Sequence, residues 1–148
     1  MLGLVNEPAW IRYIGDKNVR TLEDAQRYIE NGPMAMYARY GFGLYMVEAK
    51  ASAQPIGICG LIKRDTLEDV DLGFAFLPRF WGKGYAFESA AAVMSYGWNA
   101  LALPRIVAIV AHGNAASERL LDKLGFRFES LVKLPSSEEE LKLYAVTT

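Results

Sequence analysis

Apolar positions along this chain recur first at helical spacing and then in alternation, and the exchange of one period for the other marks out its elements. In "RTLEDAQRYIENGPM", Thr21 and Asp24 form a shortened capping box, the following apolar positions keep helical spacing, and Asn31-Gly32-Pro33 predicts the stop. Three short runs follow, "GFGLYMVEAK", "QPIGICGLIK" and "DVDLGFAFLP", rich in aromatic and branched residues. Turn signals at Ala51-Ser52-Ala53-Gln54-Pro55 and from Asp65 to Glu68 separate them, which predicts an antiparallel meander. After Pro78 the pattern changes. "YAFESAAAVMSYGWNALAL" predicts a long Ala-rich helix halted at Pro104, and "RIVAIVA" a strand covered on both faces. In "NAASERLLDKLGF", Asn114 caps a helix that Gly125 ends, with Leu120, Leu121 and Leu124 as its apolar stripe. "FRFESLVKL" and "LKLYAVT" close the chain as two strands around a Pro135-Ser136-Ser137 turn and the acidic run Glu138 to Glu140. Helix, three strands, helix, strand, helix and two strands together imply an α+β domain, a twisted mixed sheet flanked by helices.

Composition narrows what such a domain does. At 148 residues, with no repeat, low-complexity tract or linker, residues 1–148 read as one domain. Sixteen Lys+Arg against 17 Asp+Glu leave a net charge of -1, with no basic excess of the kind that serves nucleic acid or an anionic membrane. A single Cys59 excludes an internal disulfide, and one histidine, His112, leaves no cluster with zinc-ligand spacing. No apolar run approaches the ~20 residues that cross a bilayer, and the start lacks a basic segment followed by an apolar one. The expectation is a soluble, untargeted protein in a reducing, cytoplasmic setting.

"FWGKGYAFES" places Gly82 and Gly84 at the doorway of the Ala-rich helix. Glycine removes Cβ where the backbone turns sharply or touches a ligand, and the first turn of a helix has N–H groups with no internal partner. Together they make a candidate anion cradle, set against a plain glycine-rich turn. The stretch lacks G-x-x-x-x-G-K-[ST] and follows an antiparallel meander, so a nucleotide-hydrolase loop is disfavoured.

Three segments then occur in a telling order: "DVDLGFAFLPRFWGKGYAFE", "RIVAIVAHGNAAS" and "ERLLDKLGFRFE". They resemble the GNAT superfamily of acyl-CoA-dependent N-acyltransferases, most closely the branch that includes the ribosomal-protein N-terminal acetyltransferases. The resemblance runs from about Trp10 onward. It implies that Phe76 and Leu77 face the pantetheine arm of acetyl-CoA as co-substrate, and that Trp81, Gly82, Lys83, Gly84, Tyr85 and Ala86 form the phosphate loop. Trp81 stands where the family has Gln or Arg, so a side-chain phosphate contact is lost, while main-chain donors and the helix dipole remain. Asn114 contacts the pantetheine amide region or is an ordinary N-cap, and Ser117 points toward the thiol end or is a helix-surface residue.

The implied chemistry needs a neutral amine, an oxyanion donor and a proton for the departing thiolate. The Leu77 N–H is the expected oxyanion donor. Asp71, two residues before Gly73, is the expected base acting through water, or else a carboxylate that binds the substrate cation or pairs with a neighbouring strand. Leu121 stands where relatives carry an acidic tyrosine, so Ser117 is the expected proton shuttle, ahead of Tyr85 and Tyr144. Glu68 and Asp69 read as solvated, Cys59 as packing, and His112 as a residue near the cofactor. "MLGLVNEPAW" resembles the tail of the family's first helix, and without the preceding strand one sheet edge is exposed, to be covered by another segment or a second subunit of a homodimer. The expected activity is acetyl transfer from acetyl-CoA to a primary amine acceptor, on a small molecule or a protein N-terminus. The alternative is a non-catalytic acyl-CoA-binding module.

Overall fold

A computed structural model of the chain describes residues 1–135 and 138–148, so Ser136 and Ser137 of the expected last turn lie outside the described residues. The N-terminal stretch forms two short helices, α1 (Leu2–Val5) and α2 (Pro8–Tyr13), where one helix tail was expected. Pro8 is the reason: it occupies the first position of α2, where its fixed φ and missing N–H start a helix but do not continue one. Asn6 between them donates to the carbonyls of Leu2 and Val19 at 2.8 and 2.7 Å, fixing the turn.

The capping box forms as expected at the start of α3 (Leu22–Ile29), but the stop at Asn31-Gly32-Pro33 does not. The chain instead widens into a π segment over Glu30–Met34 that carries Pro33, and runs on as α4 (Ala35–Tyr40). A proline has no N–H to give and its ring crowds the carbonyl four residues back, and a widened turn relieves both. The real stop is Gly41, left-handed at φ 80°.

The meander follows as β1 (Leu44–Ala49), β2 (Gln54–Ile62) and β3 (Val70–Phe76), then α5 (Tyr85–Asn99), β4 (Arg105–Val110), α6 (Ala115–Lys123), β5 (Arg127–Val132) and β6 (Leu141–Thr147). The helix α5 ends short of Pro104. Residues 100–103 fold back instead, with the Leu101 and Leu103 amides on the carbonyls of Tyr96 and Gly97 and Ala102 at φ 53°. The strands make one sheet in the order β1-β2-β3-β4-β6-β5, mixed as expected. β1 is an outer strand, and its Tyr45 and Met46 are exposed.

Where β3 meets β4 the sheet is nearly cut. These parallel strands pair only at Val70–Ile106 and Asp71–Val107, and then part. Arg105 closes the paired end: its Nε donates to Asp69 at 2.9 Å and its fork holds the Glu129 carboxylate. Asp69 is therefore an ion-pair partner, not the solvated turn residue expected. One sheet face packs α5 and α6 through Leu72, Phe76, Met94, Ile106, Leu121 and Phe126. The other carries the N-terminal helices on Ile58, Ala75 and Leu77. No helix among the described residues is long and apolar enough to cross a membrane.

Candidate active site

Beyond the parting of the strands, the chain turns through a short 3-10 segment, Pro78–Phe80, into the glycine loop. Gly82 and Gly84 have φ of 72° and 84°, a region where a Cβ is strained, and nothing lies within 4 Å of where either Cβ would stand. The loop thus opens outward. Gly84 caps α5 with no side-chain bond, and the first intrahelical bond is Glu88 N–H to the Gly84 carbonyl at 3.0 Å. The amides of Tyr85, Ala86 and Phe87 precede it and have no partner within the helix. Two cations stand here. Arg79 and Lys83 lie 5.0 and 6.0 Å from the Phe80 ring centre. Tyr85 meets the same ring edge-on, and with Ala86 packs against the core.

Trp81 differs from expectation. Its amide is spent on the Pro78 carbonyl at 3.1 Å, and its indole Nε1 donates to the Phe76 carbonyl at 2.8 Å. Neither faces outward, so the cradle begins at Gly82.

The gap beside β3 is lined by main chain, and alternation decides which residues supply it. The Leu77 N–H donates to the Ile56 carbonyl at 2.9 Å, so Leu77 is turned toward β2. Successive residues of a strand direct their N–H and C=O groups to opposite neighbours, which turns those of Phe74 and Phe76 toward the gap. The Leu77 N–H, the expected oxyanion donor, is thus spent on β2, and the Phe76 N–H is the one turned toward the gap. The Phe76 side chain is buried in the core and Leu77 packs under the N-terminal helices, so these two residues offer the gap main chain and not side chain.

Asp71 stands at the closed end, in the last pair before the strands part. It is 1% exposed, shares the face of Ala75, and is held by Arg64 Nε at 3.3 and 3.4 Å. Burial pushes its carboxyl up to about 6, against the pull of the Arg64 guanidinium. A base of that strength is suited to a proton transfer near neutral pH.

On α6, the Asn114 side-chain oxygen accepts from the Ser117 N–H at 3.3 Å, the N-cap expected. The amide nitrogen Nδ2 is the group left to reach a ligand. Tyr144 is buried and its hydroxyl donates to Glu118 at 3.2 Å, beside Lys142 at 2.6 Å, which takes it out of contention as a thiolate acid. His112 is exposed in the turn after β4. Burial pushes the Cys59 thiol up to about 12, consistent with a packing role. No group of three or more metal-ligating side chains occurs among the described residues. Two surface depressions lie away from the loop, about 510 Å³ beside Phe126 and Phe128 and about 340 Å³ between Tyr45 and Tyr96. Neither touches the parted strands.

A family model for the acetyltransferase (GNAT) domain matches residues 1–127. The chain belongs to the GNAT acetyltransferases. YoaA of Bacillus subtilis (strain 168), named as an N-acetyltransferase, is 32% identical over 124 residues, 82% of this chain and 69% of YoaA. YkkB of the same organism is 31% identical over 96 residues, 64% of this chain, which spans little more than half of that relative at 56%. An acetyltransferase from Agrobacterium tumefaciens str. C58 superposes with a TM-score of 0.82 at 21% identity, over 99% of this chain and 82% of that one. At that identity the likeness carries the fold.

In this GNAT domain the elements bring Gly82, Lys83, Gly84, Tyr85 and Ala86 together at one end of the gap and Asp71 to the other. Sequence reasoning missed Arg64, Arg79 and the Phe76 amide. Arg79 adjoins the loop and was legible as a nearby charge. Arg64 was not, because only the β2–β3 pairing returns it to Asp71.

Proposed function

We propose that this GNAT domain transfers an acetyl group from acetyl-CoA to a primary amine, on a small molecule or a protein N-terminus. The observation that carries the reading is the parting of β3 and β4 onto an open, left-handed glycine loop at a helix N-terminus. That loop suits a diphosphate: outward amides from Gly82 to Phe87, space where Cβ atoms would be, and the charges of Arg79 and Lys83. Asn114 Nδ2 and the gap-facing main chain of Phe74 would hold the pantetheine arm, which runs past the Phe76 N–H. A lone buried Cys59 is in keeping with a reducing compartment such as the cytoplasm.

When bound, acetyl-CoA supplies a thioester carbonyl for attack by the amine. The Phe76 N–H stabilises the negative charge that develops on that carbonyl oxygen. Asp71, through a water, removes the proton that the amine must lose as the C–N bond forms. The C–S bond breaks, the Ser117 hydroxyl relays a proton from solvent water to the departing sulfur while Asp71 returns its own to solvent, and the products are an N-acetyl amide and CoA thiol. Because a thiol has an ordinary pKa of about 8.5, a strong acid is dispensable at this step.

A second reading, a non-catalytic acyl-CoA-binding module, is favoured by one observation. No phenol is offered to the sulfur from the usual position, where Leu121 is fully buried, and Tyr144 is committed to Glu118. Release of CoA thiol in the presence of a panel of primary amines separates the two. Amine-dependent release is the expected outcome; tight acetyl-CoA binding without it would establish the module.

A further inference from the structure

We propose that Trp81 is the positioning residue of the diphosphate loop, fastening it to the end of β3 by the indole bond to the Phe76 carbonyl; this rests on the acetyl-CoA reading above. The bond spans a tight segment. The Phe80 amide donates to the Leu77 carbonyl at 2.9 Å and the Trp81 amide to Pro78 at 3.1 Å, so residues 77–81 are already wound as a turn. The indole bond, at 2.8 Å, then closes this turn onto the strand. Everything after it up to α5 is Gly82-Lys83-Gly84, which no side-chain bond holds and whose glycines populate many conformations.

A cradle of main-chain amides binds an anion well only if the amides converge before the anion arrives, since ordering them on binding subtracts from affinity. One anchor is the start of α5. The other is Trp81. Its side chain is 54% exposed, so core packing does not account for its position; the hydrogen bond does. The carbonyl it uses is one that faces the gap, so the same bond fixes which groups of Phe76 remain for the ligand: the N–H is left and the C=O is taken. Trp81 thereby orients the proposed oxyanion donor without touching the reacting atoms.

Trp81→Phe keeps a ring and removes the donor, and because the residue is largely exposed the variant is expected to fold. Three readouts test the tether. Backbone nitrogen relaxation of the ligand-free protein should give lower order parameters at Gly82 to Gly84 in the variant. Titration calorimetry with CoA should give a Kd about threefold to tenfold weaker, the size of one net hydrogen bond. Steady-state kinetics should show the change in KM for acetyl-CoA with KM for the amine unmoved, a split that general loosening would not produce. Unchanged order parameters at the loop overturn the proposal whether or not CoA binds. Equal or tighter CoA binding by the variant also overturns it, because the indole would then be a plug that the ligand displaces. If wild-type protein does not bind CoA at all, the functional reading fails, and the relaxation measurement still decides the tether.

Discussion

Asp71, the proposed base, owes its protonation range to the fold and not to its neighbours in the chain. Its type and its spacing from Gly73 are plain in the sequence, but nothing local makes an aspartate a useful base. Burial at the closed end of the gap does, by raising the carboxyl from about 4 to about 6. The sign of the consequence is definite. With the folded pKa above the unfolded one, the stabilisation is present in full below about pH 4 and is lost as pH rises through 6. Each unit is worth about 1.4 kcal/mol, so holding Asp71 ionised costs the fold on the order of 3 kcal/mol. Asp71→Asn is expected to flatten this dependence, narrowing or reversing any stability deficit against wild type between pH 5 and 8 in urea titrations. The same substitution should lower kcat by about 10²-fold or more and abolish the rise in rate through pH 6. A rate unchanged at neutral pH would remove Asp71 from the chemistry. Leu77 teaches the complementary lesson: its identity is in the sequence, while the direction of its N–H depends on strand pairing, which hands the proposed donor role to Phe76.

At the scale of the element, the glycine loop and α5 form one unit, which the proposed function uses to hold an anion. Gly84 at φ 84° serves both as a helix cap and as an open wall of the cradle. A β-branched residue there is strained by its backbone and would also intrude on the ligand, so Gly84→Val is expected to weaken CoA binding at least tenfold by calorimetry. Equal affinity would contradict the placing of the diphosphate. The glycines and the helix after them were readable in the sequence, where a plain glycine-rich turn competed with a cradle; their left-handed φ and open flanks come from the structure. The helix stop at Pro33 was misread for a related reason. Proline forbids an ordinary turn but tolerates a wider one, and local sequence does not say which the rest of the chain will accept. The early end of α5 carries no stop residue at all, and it is Leu101 and Leu103 packing back on the core that sets it.

Across the whole molecule, the decisive feature is where the sheet comes apart. Arg105 ties the segment before β3 to β5 across the paired end, through Asp69 and Glu129. Its side chain is 28% exposed, so the clamp is partly screened, and Arg105→Ala should cost about 1 kcal/mol by urea unfolding. No measurable loss would show that β3 and β4 are held by their packing alone. The sequence by itself determined the order of the strands along the chain, the helices α3, α5 and α6 between them, the glycines before α5, the cap at Asn114 and the burial of Cys59, because each depends on residues close together in the chain. Only the tertiary structure decided that β3 and β4 part after Asp71, that Arg64 and Trp81 return to groups several residues away, and which main-chain amides face the gap. Those outcomes follow from pairing and burial between distant segments, and such interactions leave no periodic trace along a chain.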